Sequence, residues 1–461
     1  MSQHRTKVTK VSPAFWMTVL VLGLAVVIGR STAVSKSTER WAVAWAASQH
    51  GPYPSGNAAA GPELKFAFPD PRTGAHEQTF RLIVKPSMWG KRLRLRFSNA
   101  FGTQALTIDD VYVGLQATGG NLVPGTNRPV TFEANRSGVT IEPGKLGYSA
   151  PMDLSFVKSA DTLDLFGRRL AVSFHVAGSS GPMTWHSTAL TTSYVSAPGG
   201  GTHGREEADR AFPFSTTSWF FLDAVDVMAP DEAIVVAALG DSITNGSLST
   251  LNGDDRWEDV LAYRLHAAYG AHVSVLNTAI GGNQVLGPGT YNMNDPFFGG
   301  PSALQRLERD VLSLSGLTAV VWLEGINDFG LAMPSPSAEA VIAGLREGVN
   351  RMHARGIKVI GGTLTSTLNG GTPAHATPET DAKRKAVNQF IRTGGLYDGV
   401  AEFDTATLDP VTGMLRPEFI PGSTTGGPGD RIHPNRAGYQ AMGYAIDVSL
   451  FARTAKKRPT Q

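Results

Sequence analysis

The stretch VVAALGDSITNG, Val235–Gly246, runs apolar and then turns abruptly into Gly240, Asp241 and Ser242. A serine hydroxyl is a poor nucleophile at neutral pH and needs a base beside it. His433 could supply that base: of the eleven histidines it alone has an acid three residues earlier, Asp430 in GDRIHPN. A carboxylate there would hold the imidazole in one tautomer and stabilise its charged form during attack. Two further blocks carry N–H donors. In TAIGGN, Gly281 and Gly282 let the backbone approach a ligand closely, and Gly325-Ile326-Asn327-Asp328 brings a side-chain amide. On the first stretch alone, Asp241, Ser242 and Thr244 read equally well as caps satisfying the free N–H groups of the next helix.

The elements around these blocks decide between the two readings. After Asp231 the chain alternates strands and helices: Ile234 to Leu239 is a continuous apolar run, as in a parallel strand covered on both faces. Strand-like VSVLN (273–277), TAVVWLEG (318–325), KVIGGTL (358–364) and GVAEFD (399–404) follow. Helical spacing is present at 256–270, 303–314, 338–355 and 381–393, and a last helix is expected near 435–450. Five strands interleaved with helices predict a doubly wound α/β domain over 231–455, in which ligands gather outside the carboxyl ends of the strands. Ser242, Gly282, Asn327, Asp430 and His433 all fall after strand ends, so hydroxyl, N–H donors, carboxylate and imidazole converge on one rim.

The preceding part, 40–230, has a different grammar. Short strands at 80–87, 91–99, 105–115, 129–134, 138–144, 169–178 and 192–196 are punctuated by Gly, Pro, Asn and Ser, and an apolar stretch covers 219–230. In KRLRLRFSN, Leu93, Leu95 and Phe97 alternate with Arg92, Arg94 and Arg96, the pattern of a strand with one buried and one wet face. Such strands predict an antiparallel β-sandwich. Of the other histidines, His175 and His266 read as packing or surface residues, whereas His186, in TWHS, sits where a loop could lean over the site.

Composition agrees with two folded domains: 461 residues, 41% hydrophobic and 17% charged. The formal charge of +2 offers no basic field for nucleic acid, and it derives from residues 1–35, which hold Arg5, Lys7, Lys10 and Arg30 and no acid. That segment continues into the apolar run Ala14–Gly29 and the small residues Ala33-Val34-Ser35, so it reads as a cleaved signal peptide or an uncleaved membrane anchor. Either would place the rest of the chain outside the cytosol. The absence of cysteine removes thiol catalysis and thiolate metal sites. No G-x-S-x-G elbow, H-E-x-x-H zinc motif or phosphate-binding P-loop is present, and no cofactor or metal is expected.

Taken in order, Gly240-Asp241-Ser242, Gly282, Asn327 and Asp430-x-x-His433 resemble the four blocks of the SGNH hydrolases, also called the GDSL family. The resemblance implies a flavodoxin-like α/β/α fold, with Ser242, Asp430 and His433 catalytic. It also implies an oxyanion hole of the Ser242 and Gly282 backbone N–H groups and the Asn327 amide. SNAFG (98–102) and TWHSTALTTSYVS (184–196) resemble the β-rich extension of secreted bacterial members. The family spans lipases, lysophospholipases, thioesterases and carbohydrate acetylesterases. An extracytoplasmic member with an accessory β domain points first to a carbohydrate O-acetylesterase or short-chain acyl esterase acting on an acetylated polysaccharide, with a lipid ester as the near rival. A lipid ester would need an apolar cleft, with Phe297 and Phe298 of the Gly-rich stretch 284–300 as candidate walls. The rival of another class is a non-catalytic polysaccharide-binding surface protein. A membrane partner is expected only through an uncleaved N-terminal segment.

Overall fold

A computed structural model describes residues 38–57, 61, 64–424 and 426–452; the expected signal or anchor at 1–35 lies outside them. Among the described residues no helix is long and apolar enough to cross a membrane.

Three antiparallel sheets make up the first part. One orders Glu39–Ala46, Leu222–Pro230, Arg92–Ser98 and Leu146–Tyr148, with Met152–Asp153 beside the third strand. A second runs Phe214–Thr216, Ser193–Val195, His76–Val84, Leu170–Ser179, Leu106–Leu115 and Arg128–Pro129, with Val139–Ile141 alongside. A small third sheet joins Trp219–Phe220, Thr184–His186 and His50–Pro52. Apolar side chains fill the space between them, among them the stacked rings of Phe80 and Phe174 at 5.2 Å. The short strands at 50–52, 184–186 and 214–216 escape sequence reading because three residues carry no measurable period.

The alternation at 92–97 holds on one side only. Leu93, Leu95 and Phe97 are buried as expected, but the opposite face is wet only at Arg92: Arg94 is half-buried and Arg96 is only 5% exposed. The Arg96 Nε donates to Asp223 at 2.9 Å and its Nη1 to the Ser313 hydroxyl at 3.1 Å; Arg94 reaches Asp226 at 2.7 Å and the Ser315 hydroxyl at 3.1 Å. Ser313 and Ser315 belong to the α/β part, so this face is a contact surface, with its arginines paired to acids on the neighbouring strand.

The second part is a five-stranded parallel sheet in the order Val273–Asn277, Ile234–Gly240, Ala319–Leu323, Lys358–Gly362, Gly399–Ala401. This is the flavodoxin-like order 2-1-3-4-5, whose switch point lies beside the first strand, at the end that carries Ser242. Right-handed crossovers put helix Trp257–Tyr269 on one face and Ala338–His353 and Pro378–Thr393 on the other. Helix Arg436–Tyr444 packs on Trp257–Tyr269. Two expected helices are shorter than their apolar patterns. The one at 303 changes at Leu307 into a wider turn, Glu308–Leu312, and the last stops at Tyr444 before a separate turn at Val448–Phe451, started by Asp447 accepting from the Ser449 N–H.

Arg306 joins these parts from inside. Its side chain is fully buried. The guanidinium donates to the Gly240 carbonyl (3.1 Å) at the end of the first strand, the Thr278 carbonyl (2.7 Å) after the second, Asn283 Oδ1 (2.7 Å) and the Ser48 hydroxyl (3.1 Å). Asp310 at 3.3 Å and Glu324 at 4.0 Å balance its charge. Removing one partner of a buried ion pair leaves an uncompensated charge costing about 3–5 kcal/mol. Arg306→Met is therefore expected to lower unfolding free energy by about that amount in urea titrations; a loss below about 1 kcal/mol would show the network to be dispensable.

Candidate active site

The first strand ends by force. A Cβ on Gly240 would lie 2.4 Å from both the Leu323 carbonyl and the Thr244 hydroxyl, so only glycine passes there. Asp241 then caps a single helical turn, Ser242–Asn245, accepting from the Ile243 N–H at 2.9 Å, and Gly246 closes it at φ 90°. The capping reading thus holds for Asp241. Ser242 is free of that duty, and its Oγ lies 2.7 Å from His433 Nε2.

His433 Nδ1 in turn lies 2.5 Å from Asp430 Oδ2. The three-residue spacing works because Arg431 adopts a left-handed φ of 63°, curling the chain so that Asp430 Oδ1 also accepts from the Ile432 and His433 N–H groups at 3.0 and 2.9 Å. Partial burial pushes the Asp430 carboxyl up, but the bonds and charge of His433 and the two backbone N–H groups outweigh it and hold the group well below the usual carboxylate range. An ionised Asp430 accepts only. The proton on the ring therefore sits on Nδ1 and leaves Nε2 to accept from the Ser242 hydroxyl. That is the geometry for deprotonating a serine during attack.

Opposite the hydroxyl lies the Gly-rich turn. Gly282, not Gly281, carries the left-handed φ, 83°. A Cβ there would also strike the Phe298 ring at 2.3 Å. The turn is held from below: Asp328 accepts from the Val285 and Leu286 N–H groups at 2.8 and 2.9 Å, and Asn283 donates to the Gly299 and Pro301 carbonyls. Asp328 is therefore the clasp of this turn. Asn327 Nδ2 donates to the Asn283 carbonyl at 3.0 Å.

Ser242, Gly282, Asn327, Asp430 and His433 all line one cavity of about 760 Å³. Much of its remaining wall is apolar, with Leu248, Leu251, Phe298, Leu331 and Ile432. Phe298 lines it as the lipid reading required, whereas Phe297 does not. Sequence reading missed three wall residues from the β-rich part, Asn57, Thr188 and Leu190. Leu190 is held at a left-handed φ of 54° by ties to the α/β part: its carbonyl accepts from the Asn252 N–H at 2.8 Å, and the Ala189 carbonyl from Arg256 Nη2 at 2.6 Å. His186 does not enter the cavity. It is buried beneath it, with Nδ1 2.6 Å from the Ser48 carbonyl and Nε2 3.1 Å from Asn245 Oδ1, and burial pushes it down to about 4. His375, another wall residue the sequence did not mark, contacts Asn327.

The profile of the GDSL-like Lipase/Acylhydrolase family matches residues 238–441. No curated protein matches the chain. Among solved structures it is similar to a GDSL-like lipase from Bacteroides thetaiotaomicron VPI-5482 (17% identity, 47% of this chain and 87% of the other, TM-score 0.34). Others are an alpha/beta hydrolase enzyme from the metagenome of Lake Arreo (20%, 46% and 92%, 0.33) and a catalytic mutant of an acetylxylan esterase from Geobacillus stearothermophilus (21%, 46% and 91%, 0.33). The protein is a carboxylic ester hydrolase. More particularly, its residues 238–441 match the GDSL-like Lipase/Acylhydrolase family.

Asp241 makes the site sensitive to pH through stability. Burial first, and Glu324 next, push its carboxyl up to about 8, against the bond from Ile243. The unfolded group titrates near 3.9. Between these values the folded chain holds a proton that the unfolded chain has lost, so this group's contribution to stability falls as pH rises from about 4 to 8. Asp241→Asn keeps an acceptor for Ile243 and removes the titration. The drop in urea midpoint between about pH 5 and 8.5 is expected to shrink in this variant, and an unchanged drop would place the titration elsewhere.

Proposed function

We propose that this enzyme hydrolyses carboxylic esters through an acyl-enzyme on Ser242, and that its acyl group is longer than acetyl. The observation that carries the chemistry is the continuous hydrogen-bonded line Ser242–His433–Asp430 at the wall of the cavity. Oγ attacks the ester carbonyl while its proton passes to His433 Nε2, and Asp430 balances the imidazolium. The oxyanion is met by the Ser242 and Gly282 backbone N–H groups and the Asn327 amide. His433 then gives its proton to the departing alcohol, and a water deprotonated by the same nitrogen releases the acid.

The chain-length reading is carried by the wall. A cavity of about 760 Å³ lined by Leu190, Leu248, Leu251, Phe298, Leu331 and Ile432 offers apolar surface that an acetyl group would leave unused. Each methylene buried there contributes about 0.8 kcal/mol, or roughly fourfold in kcat/KM if fully realised in the transition state. The basic and then apolar segment at 1–35 supports an extracytoplasmic site of action.

The test is the initial hydrolysis rate of nitrophenyl esters of two to sixteen carbons beside acetylated xylan, for the natural chain and for Ser242→Ala. The expected outcome is a rate lost at least about 1,000-fold in Ser242→Ala and a kcat/KM rising beyond four carbons. A rate that collapses beyond four carbons, with acetate released from xylan, would assign a carbohydrate acetylesterase instead. Absence of any Ser242-dependent rate would favour the non-catalytic binding protein. In the same assay Asn327→Ala is expected to cut kcat by roughly 100-fold or more with the fold retained, the loss typical of one oxyanion donor.

A further inference from the structure

We propose that His375 is a positioning residue that fixes the Asn327 amide as an oxyanion donor; this rests on the esterase reading of the site given above. Asn327 presents two chemically opposite ends, and either could face the reaction. The Asn283 carbonyl, which can only accept, lies 3.0 Å from one end and requires it to be Nδ2. Oδ1 then faces His375 Nε2 at 3.2 Å, so that ring nitrogen must donate. The ring has the means to hold that tautomer, because its Nδ1 lies 2.8 Å from the Thr372 hydroxyl, which donates to it. With both ends held, the second amide hydrogen of Asn327 has no acceptor among the described residues, on a side chain that lines the cavity.

Three further observations show the imidazole as a built support. It is only 4% exposed. It lies flat against Gly330, of the same short helix that carries Asn327: a Cβ at Gly330 would meet the ring at 2.1 Å. Its loop is tied to the catalytic acid's segment, the Gly371 N–H donating to the Asp430 carbonyl at 2.7 Å. Burial first, and the neighbouring His433 next, push His375 down to about 4 against the pull of Asp430, so the ring is neutral where the enzyme works. A neutral ring is what the assignment requires, since Nδ1 must keep its lone pair for Thr372.

The role is tested by kinetics on a nitrophenyl ester of six carbons for His375→Ala, His375→Gln, Asn327→Ala and the double variant, with ring ¹⁵N shifts of His375 in the natural chain. His375→Ala is expected to lose about 10- to 100-fold in kcat, the cost of a slightly misplaced group, with KM within about twofold. Glutamine carries an N–H at a similar reach and is expected to restore most of that loss. In the Asn327→Ala background, His375→Ala is expected to cost nothing more, because it acts through the amide. Gly330→Ala, which displaces the ring without removing a polar group, is expected to reproduce the kcat loss. The shifts are expected to show the neutral Nε2–H tautomer between about pH 5.5 and 8. Full kcat in His375→Ala, additive losses in the double variant, or an Nδ1–H ring would each overturn the positioning role while leaving a Ser242-dependent esterase intact. A natural chain without Ser242-dependent turnover would overturn both.

Discussion

The buried guanidinium of Arg306 is the interaction on which the site depends. Carbonyl groups at the ends of parallel strands point toward the rim where a ligand lies, and they need donors that water cannot supply once the rim is covered. Arg306 satisfies two of them, at Gly240 and Thr278, and holds the side chain of Asn283 that in turn braces the Gly-rich turn. A flexible lysine could not reach these acceptors at once; the planar fork of arginine can. Its charge must itself be balanced, which accounts for Asp310 and Glu324 at such depth.

The same logic of paired burial joins the two parts of the chain. A β-rich region carried beside a hydrolase is often a separate module, yet here its arginines at 94 and 96 pair with acids on the adjacent strand and reach serines of the α/β part. Its loop at 188–190 reaches the cavity wall, and its Ser48 hydroxyl meets Arg306. The left-handed backbone at Leu190 is a local cost, offset by the bonds that Asn252 and Arg256 make to that loop. The β-rich part therefore shapes the cavity directly.

The immediate surroundings of Ser242 combine groups of two kinds. His433 and Asp430, hydrogen-bonded in line with Ser242, are partly exposed, while Asp241, Asp328, Asn283 and Arg306, which brace the turns around them, are buried. Burial keeps the bracing hydrogen bonds out of competition with water, while the exposed edge leaves the Ser242–His433–Asp430 line open to it.

The parallel sheet and the four blocks were legible in the sequence, because apolar runs alternate with helical intervals and because Ser242, Gly282, Asn327, Asp430 and His433 lie after strand ends in chain order; the strand order followed only from the family resemblance. Other features were not legible, for identifiable reasons. The second face of 92–98 looked wet because period-two patterning reports polarity and not whether a partner covers it; Arg96 is buried by a contact 217 residues away. The role of Asp328 left no local mark, because its donors are the Val285 and Leu286 N–H groups, 43 and 42 residues earlier in the chain. His375, Thr188 and Leu190 carry no motif, since a long-range hydrogen bond or a wall position imposes no spacing along the chain. The sequence by itself determined which chemistry the strand ends could perform; the tertiary structure alone decided what braces those groups and how large and apolar a space they face, because both depend on contacts between segments far apart in the chain.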